Sequence, residues 1–564
     1  MHDLVIRGAS VIDGTGAAAR EADVAIDADR IAAVGPVAAR GREELDARGL
    51  LVTPGFVDVH THYDGQVTWD PYLTPSCWHG VTTAVMGNCG VGFAPADPAR
   101  HDWLIGLMEG VEDIPGTALH EGIQWGWEHF SEYLDSVEKL PHAIDVAAQL
   151  PHGALRAYVM GERGAVHTER PSDAEIGAMA REAREAVEAG ALGFSTSRTV
   201  NHRTVDGAHT PSLTATAAEL LGIGRGLRDA GKGVFQLVAD FVDLEAEFAL
   251  IRQLAEQNQR PLSFTLLQND ARPDAWRRLL ELTAEAVRDG VQMRAQVAAR
   301  PVGLLMGLDA SLHPFSGCPG YREIAALPLA ERVRRLREPA RRQRILAEKQ
   351  QQGGGFPALD KLFALGDPPD YEPAAEQSLA ARALELGVAP IALAYDCLLE
   401  REGRELLYAP VMNYSGFDME ACREMLLHPL TVPGLGDAGA HCGMICDGSF
   451  VTTLLVHWGR DRRRGARIPL ETLVRWHTRD TAQLVGLGDR GLVARGMKAD
   501  LNLLDWDGLR LLPPEIRFDL PAGGKRLVQR AQGYRATLVS GQVVLRDGEP
   551  TGALPGRLVR GARG

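Results

Sequence analysis

The chain has 564 residues, of which 45% are hydrophobic, 24% charged and 6% aromatic. This composition is typical of a globular protein and disfavours a disordered chain, a collagen or a disulfide scaffold. Acidic residues outnumber basic ones by 74 to 60, and the net charge of −14 disfavours a broad surface for nucleic acid or anionic membrane. The length suits roughly three to five domains of ~100–200 residues, or one large barrel with insertions.

The N-terminal segment lacks the basic stretch and long apolar run of a secretory signal. No segment approaches the ~18 consecutive apolar residues that a membrane span needs. Seven cysteines, an odd number, fit a reducing compartment better than a disulfide framework. We therefore expect a cytoplasmic protein whose partner is a small molecule rather than nucleic acid or membrane.

Short apolar runs separated by turn residues occupy both ends of the chain. They include Val24-Ala-Ile near the N-terminus and Ala536-Thr-Leu-Val, followed by a Ser540-Gly turn, near the C-terminus. This spacing predicts β-strands and hairpins. Because chain ends often lie close together, we predict one small discontinuous β-sandwich domain built from residues 1–53 and 488–564.

The central part of the chain alternates helices with short apolar strands. Ser172-Asp-Ala-Glu175 is a capping box, followed by apolar residues at helical spacing and by Gly190 as a stop. Strand candidates lie at 55–59, 81–87, 191–195, 234–238, 262–267 and 291–297, near Ile391 and near Thr431. The alternation predicts an α/β fold, a parallel (β/α)8 barrel of the TIM type over residues 54–487, with active-site residues at the carboxyl ends of its strands.

An insertion at about 300–430, rich in Arg, Gln, Pro and Gly, interrupts this barrel. Residues 327–352 within it are predicted to form an exposed charged helix, and the glycine-rich residues 353–357 a mobile tail. The insertion is either a lid over the site or a peripheral excursion.

Two histidines close the first predicted barrel strand, in Val57-Asp-Val-His60-Thr-His62. Side chains at i and i+2 leave a strand on the same face, so both imidazoles can point at one cation. Such a short motif also occurs by chance, and its context strengthens it. That context is the preceding Leu51-Val-Thr-Pro-Gly-Phe and the later Gly491-Leu-Val-Ala-Arg-Gly-Met-Lys-Ala-Asp-Leu.

With this context the sequence resembles the amidohydrolase superfamily of metal-dependent hydrolases. It is similar to the D-aminoacylase, or N-acyl-D-amino-acid deacylase, branch in three stretches: Gly80-Val-Thr-Thr-Ala-Val-Met-Gly-Asn-Cys89-Gly, Gly190-Ala-Leu-Gly-Phe-Ser-Thr and Asp489-Arg-Gly-Leu-Val. The resemblance covers nearly the whole chain except the insertion.

The resemblance implies a metal site of His60, His62, Cys89 and Asp437, in which the thiolate suits Zn²⁺. It also implies that Asp437 takes a proton from metal-activated water and returns it to the departing amine. The residues alone leave two alternatives to these ligand roles open. Cys89 could instead be a buried residue that packs like a small apolar side chain, and Asp437 could instead cap the N-terminus of the following helix.

In the D-aminoacylase branch, histidines at the ends of the fifth and sixth strands are further metal ligands. This chain departs from that pattern. The corresponding stretches here, 234–240 and 262–268, contain no histidine. We therefore expect one zinc ion rather than two, with another divalent metal as the alternative. Additional ligands from elsewhere would come from His441, His202 or His209.

Three residues are candidates for substrate binding. Arg198 follows the fourth strand, where a guanidinium can clamp a carboxylate with two hydrogen bonds, although surface arginines are common there. His441 is placed to reach the leaving group, and His202 is the third candidate. An aromatic group is a candidate acyl pocket, with ordinary helical packing as the alternative: Trp125, Trp127, Phe130 and Tyr133.

We expect a metal-dependent hydrolase that cleaves a linear C–N amide bond, resembling an N-acyl-D-amino-acid deacylase. The substrate is then a small acylated amine or amino acid, and homo-oligomerisation is left open. One alternative keeps the site and changes the bond to a cyclic amide or imide, as in hydantoinases. The other is a non-catalytic binding or regulatory barrel, suggested by the missing histidines.

Overall fold

A curled parallel sheet lies at the centre of the computed structural model, which describes residues 1–352 and 358–561. Segment 353–357, for which a mobile tail was predicted, lies outside the described residues. The eight strands, named first to eighth barrel strand, follow one another in chain order around the sheet. They are Phe56–Asp58, Val81–Met86, Asp145–Pro151, Gly193–Arg198, Val234–Ala239, Leu262–Leu266, Met293–Val297 and Thr431–Pro433.

The two edges of this sheet meet, so the sheet closes into a barrel. Beyond the ends of the first and eighth strands, Thr61 and Ala438 form a parallel bridge. The amide N–H of His62 donates to the carbonyl of Ala438 at 2.8 Å, and that of Asp437 donates to the carbonyl of His60 at 3.0 Å. The predicted (β/α)8 barrel is confirmed.

Helices pack around the barrel and connect its strands. The capping box at Ser172 is confirmed, because the Ser172 hydroxyl accepts from the Glu175 amide and the Glu175 carboxylate accepts from the Ser172 amide, and Gly190 ends this helix. The barrel-associated helices are His101–Glu112, Gly116–Gly122, Phe130–Glu138, His152–Met160, Asp173–Ala189, Ala217–Ala230, Leu244–Asn258, Ala275–Arg288, Glu420–Leu427, Phe450–Val456, Leu470–Arg475 and Thr481–Leu484.

One predicted barrel strand is wrong, and one was missed. The segment near Ile391 is a helix, Pro390–Cys397, with Pro390 at its first turn, where the missing N–H costs nothing. The third barrel strand is Asp145–Pro151, every residue of which is buried. Its polar Asp145 and Gln149 and its paired alanines obscure the apolar pattern of a strand.

Strands from both chain ends form one nine-stranded sheet. The C-terminal strand Leu501–Leu504 pairs antiparallel with the N-terminal strand Leu51–Pro54, which leads directly into the barrel. Its other strands are His2–Val11, Arg20–Asp27, Arg30–Gly35, Gly41–Asp46, Tyr534–Val539, Gln542–Arg546 and Glu549–Pro550. The division of the chain into a domain of residues 1–53 and 488–564 and a barrel of residues 54–487 remains our proposal.

Between the seventh and eighth strands, the chain forms a peripheral unit with its own apolar core, including Tyr321, Leu336 and Leu407. Two helices replace the single charged helix predicted over 327–352. The unit contains strands Gly303–Met306, Phe363–Ala364 and Leu407–Pro410 and helices Pro319–Arg322, Leu329–Leu336, Pro339–Gln351, Leu379–Leu386 and Pro390–Cys397.

Two short antiparallel strand pairs lie near the C-terminus. Glu515–Leu520 and Gly524–Val528 form a hairpin, and the flanking segments Arg510–Leu511 and Ala531–Gln532 pair with each other. Among the residues that the structure describes, no helix has both the length and the apolar character needed to cross a membrane.

Candidate active site

Four side chains from three strand ends converge at the carboxyl end of the barrel. The ligand atoms of His60, His62 and Cys89 lie within 4.8 Å of one another. His60 Nε2 lies 3.2 Å from the Cys89 Sγ and 3.2 Å from the Asp437 Oδ1. The same Asp437 oxygen lies 3.6 Å from His62 Nε2. The structure therefore brings together all four residues predicted to hold the metal.

The backbone of Cys89 has a conformation that is uncommon for a residue other than glycine. Cys89 has φ of 54°, a left-handed conformation that most residues avoid. Its amide N–H donates to Gln236 Oε1 at 2.9 Å. Gly90 follows with φ of 69°, and a Cβ there would lie 2.8 Å from the Thr196 Cα, so only glycine fits against the fourth strand. Strain of this kind persists where the surroundings fix the backbone, as at functional sites.

The four residues form a cluster of two anions and two imidazoles. Burial by itself would lower the pKa of His60, but the charges of Cys89 and Asp437 outweigh it and raise the pKa to about 9. Burial would likewise raise the pKa of Cys89, and the charge of His60 reverses this, so that the pKa falls below its usual value. The pKa of Asp437 is lowered in the same way against its burial. The raised pKa of His60 shows that Cys89 and Asp437 together stabilise positive charge at this place, which either a proton or a bound cation can supply.

The residues present fit a metal ion. Asp437 Oδ1 is buried and receives no hydrogen bond from the described residues, although two histidine nitrogens face it. A carboxylate oxygen left without a donor in a buried site is costly, and a cation would satisfy it. Two imidazoles, a thiolate and a carboxylate are the ligand types that Zn²⁺ prefers.

Buried amide side chains orient the ligands from the other side of the barrel. Gln296, on the seventh strand, accepts a hydrogen bond from His60 Nδ1 at 2.8 Å, and its own Nε2 donates to Ser263 Oγ at 2.9 Å. Ser263 Oγ donates in turn to the carbonyl of Phe235 at 3.5 Å, so it accepts from the amide nitrogen of Gln296 and the amide oxygen faces His60. His60 Nδ1 therefore keeps its proton, and Nε2, which faces Cys89 and Asp437, is the nitrogen that would bind a cation in place of a proton.

The fifth and sixth strands supply no histidine, as the sequence indicates. The fifth strand contributes Gln236, whose oxygen is used by the Cys89 amide. Val238, Thr265 and Leu267 line the cavity from these strands. Alkyl side chains do not bind a cation, and the hydroxyl of Thr265 is a weak substitute.

A cavity of about 560 Å³ opens above the four residues. Its volume suits a small-molecule ligand. His202 and His441, two of the predicted substrate-binding residues, line it. Burial, followed by the charges of His441 and His62, lowers the pKa of His202 to about 3, so His202 is neutral near pH 7. Its Nδ1 lies 3.0 Å from Ser197 Oγ.

Arg198 does not line the cavity. Its guanidinium makes two hydrogen bonds of 2.8 Å to the Glu247 carboxylate and donates to the carbonyl of Ala215. The predicted carboxylate clamp is thus already occupied by a side chain of this protein. His209 lies against the His167 ring rather than in the cavity.

The aromatic residues proposed for an acyl pocket pack elsewhere. Trp127, Phe130 and Tyr133 are buried in the apolar core, and Trp125 packs against it. None of the four is among the residues that line the cavity.

Sequence reasoning missed several residues of the site. Glu112 and Arg272 line the cavity, while Gln236 and Gln296 hold the ligands. The glutamines lie inside predicted barrel strands, where a buried amide needs a partner, and this was an available signal. Glu112 and Arg272 carry no motif and lie far from the ligands along the chain.

Comparison with known proteins gives consistent matches. A model of the amidohydrolase family matches residues 43–545. The N-acyl-D-glutamate deacylase of Alcaligenes xylosoxydans xylosoxydans is 29% identical over 99% of this chain and 96% of its own length. The D-aminoacylase of the same organism is 35% identical over 41% of this chain and 43% of its own length. A solved D-aminoacylase structure, from work on its binuclear metal center, has a TM-score of 0.66 at 24% identity, covering 99% of this chain and 100% of that one.

We predict that Gln296→Leu weakens metal binding by about 10–100-fold, because His60 loses the acceptor that fixes its tautomer. Competition with a chromophoric chelator measures the dissociation constant. Ser263→Ala is the matched control, since it removes the contact behind Gln296 and leaves Gln296 itself in place, and we expect a smaller effect. Equal affinities for the Gln296→Leu variant and the unaltered protein would show that Gln296 does not orient the ligand.

Proposed function

The chain belongs to the amidohydrolase family, and we propose that it is a metal-dependent hydrolase that cleaves the linear amide bond of an N-acylated amino acid. The observation that carries this proposal is the convergence of His60, His62, Cys89 and Asp437 beneath one cavity. The relatives that match over nearly the whole chain include deacylases of N-acyl-D-aspartate and N-acyl-D-glutamate.

We propose that one zinc ion is held by these four residues. A Zn²⁺ ion bound there supplies a Lewis acid for the amide carbonyl and makes water more acidic. Glutamine and alkyl side chains stand on the fifth and sixth strands where a second ion would need ligands, which favours one ion over two.

The chain's own residues account for the proton transfers. Asp437 has one oxygen facing both histidines at the floor of the cavity, and its lowered pKa keeps it ionised. An ionised carboxylate in this place is the group that accepts the proton of the attacking water. The same carboxyl then gives this proton to the departing amine nitrogen. Val238, Leu267 and Val411 contribute apolar lining to the cavity, which suits an acyl chain.

Activity on a panel of amides tests this function. We expect hydrolysis of N-acetyl D-amino acids, with N-acetyl L-amino acids, hydantoins and dihydropyrimidines as comparisons. Asp437→Asn is expected to lower kcat by about 10²–10⁴-fold, the usual contribution of a general acid and base. Turnover of the cyclic substrates alone would contradict a linear amide, and a protein inactive on the whole panel, with or without Asp437, would indicate a binding barrel.

Arg272 is our candidate for the group that binds the substrate carboxylate. It lines the cavity, and its guanidinium donates to the carbonyls of Asp240 and Val242 at 3.1 and 3.2 Å. No carboxylate of the described residues pairs with it, in contrast to Arg198 with its Glu247 partner. A guanidinium without a counter-ion in a substrate cavity is suited to an anionic ligand.

We predict that Arg272→Gln raises KM for an N-acetyl amino acid by about 10–100-fold, the loss of a charged hydrogen bond, and leaves KM for an uncharged N-acetyl amine unchanged. Arg198→Gln is the matched control and is expected to leave both KM values unchanged. If instead Arg198→Gln alone raises KM for the charged substrate, the clamp is at Arg198.

A further inference from the structure

Glu112 is a buried carboxylate that the hydrolysis described above does not use. It is the last residue of helix His101–Glu112, only 1% of its surface is exposed, and it lines the cavity. The carboxyl end of a helix is the negative end of its dipole, so an anion is disfavoured there. A buried charge is retained in such a place only where positive partners or hydrogen-bond donors hold it.

The partners of Glu112 are the two histidines on either side of it. Its Oε1 lies 3.1 Å from His62 Nδ1, and its Oε2 lies 3.9 Å from His441 Nε2. These histidines are its ion-pair partners among the described residues, and neither carboxylate oxygen receives an aligned hydrogen bond. Both oxygens therefore have capacity for a donor.

The backbone ties this helix end to the loop that carries His441. The Cys442 amide donates to the Glu112 carbonyl at 3.3 Å. The Gly443 amide donates to Asp113 Oδ2 at 3.0 Å. His441 itself has φ of 50°, a left-handed conformation, and the two hydrogen bonds that follow it hold the loop beside the helix end.

We propose that Glu112 is a positioning residue that joins the metal ligand His62 to His441. Its Oε1, 3.1 Å from His62 Nδ1, is placed to accept the proton of that nitrogen when a cation binds, so that His62 Nε2, on the Asp437 side, is the nitrogen that holds the cation. The other oxygen faces the His441 imidazole, which lines the cavity, at 3.9 Å. Glu112 thereby does for His62 what Gln296 does for His60.

The carboxylate of Glu112 and the amide of Gln296 have different effects on the histidines that they face. A carboxylate behind an imidazole increases the basicity of the nitrogen that binds the metal, whereas a neutral amide mainly fixes the tautomer. The two histidines of one site thus have unequal acceptors, and we expect His62 to depend on the charge of Glu112.

The test compares Glu112→Gln with Glu109→Gln, and it rests on the proposed function because it assumes that His62 binds the cation. Glu109 lies one turn earlier on the same helix, where its carboxylate accepts from the Gly116 amide, so Glu109→Gln makes the same chemical change outside the cavity. For each protein, chelator competition gives the zinc dissociation constant, and visible absorption of the Co²⁺-loaded protein reports the ligand geometry.

We expect Glu112→Gln to weaken zinc binding by about 10–100-fold and to shift the cobalt absorption bands, while it still binds the full amount of metal at saturation. Glu109→Gln should match the unaltered protein. Glu112→Asp keeps the charge but draws it back from His62, and its affinity should fall between the two.

Three outcomes overturn the inference. If Glu112→Gln binds zinc as tightly as Glu109→Gln with the same cobalt spectrum, Glu112 does not act on His62, although the proposed function stands. If Glu112→Gln binds no metal even at saturation, Glu112 is itself a ligand. An unaltered protein that binds no metal would refute the proposed function together with this inference.

Discussion

The seam that closes the barrel is the feature on which the rest of the site depends. At this seam the amide of His62 donates to Ala438 and the amide of Asp437 donates to His60, so three of the four ligand residues form the hydrogen bonds that join the first and eighth strands. Hydrogen bonds of a closed sheet fix relative positions closely, and a metal site needs such precision. The hydrogen bonds that close the barrel therefore also position His60, His62 and Asp437 relative to one another.

The fourth ligand is held across the barrel rather than at the seam. Cys89 extends from the second strand in a left-handed conformation, and Gln236 of the fifth strand secures its amide. Gln296 of the seventh strand secures His60. The fifth and seventh strands thus contribute glutamine side chains that orient Cys89 and His60 rather than additional metal-binding side chains. This arrangement agrees with the proposal of a single cation.

The sequence predicted which four residues cluster at the barrel end better than it predicted their surroundings. His60, His62, Cys89 and Asp437 belong to local motifs at strand ends, and the parallel barrel brings strand ends together whatever the exact strand boundaries. The barrel was therefore predictable even though the strand expected near Ile391 is a helix and Asp145–Pro151 was missed.

Contacts between distant residues were not predictable in this way. Arg198 lies at a strand end, as a substrate clamp should, but Glu247 on the helix Leu244–Asn258 pairs with it. Glu112 lies in a helix with no motif, and only the folded chain places it against His62 and His441. Both cases depend on pairing between charges far apart in sequence, for which hydrophobic periodicity carries no signal.

Metal content per chain tests the central claim most directly. After the protein is stripped with a chelator, reloaded with zinc and freed of excess metal, elemental analysis should find about one equivalent per chain, as expected for a single four-ligand site, and Cys89→Ala should lose most of it. Two equivalents per chain, or one equivalent that survives Cys89→Ala, would contradict this account.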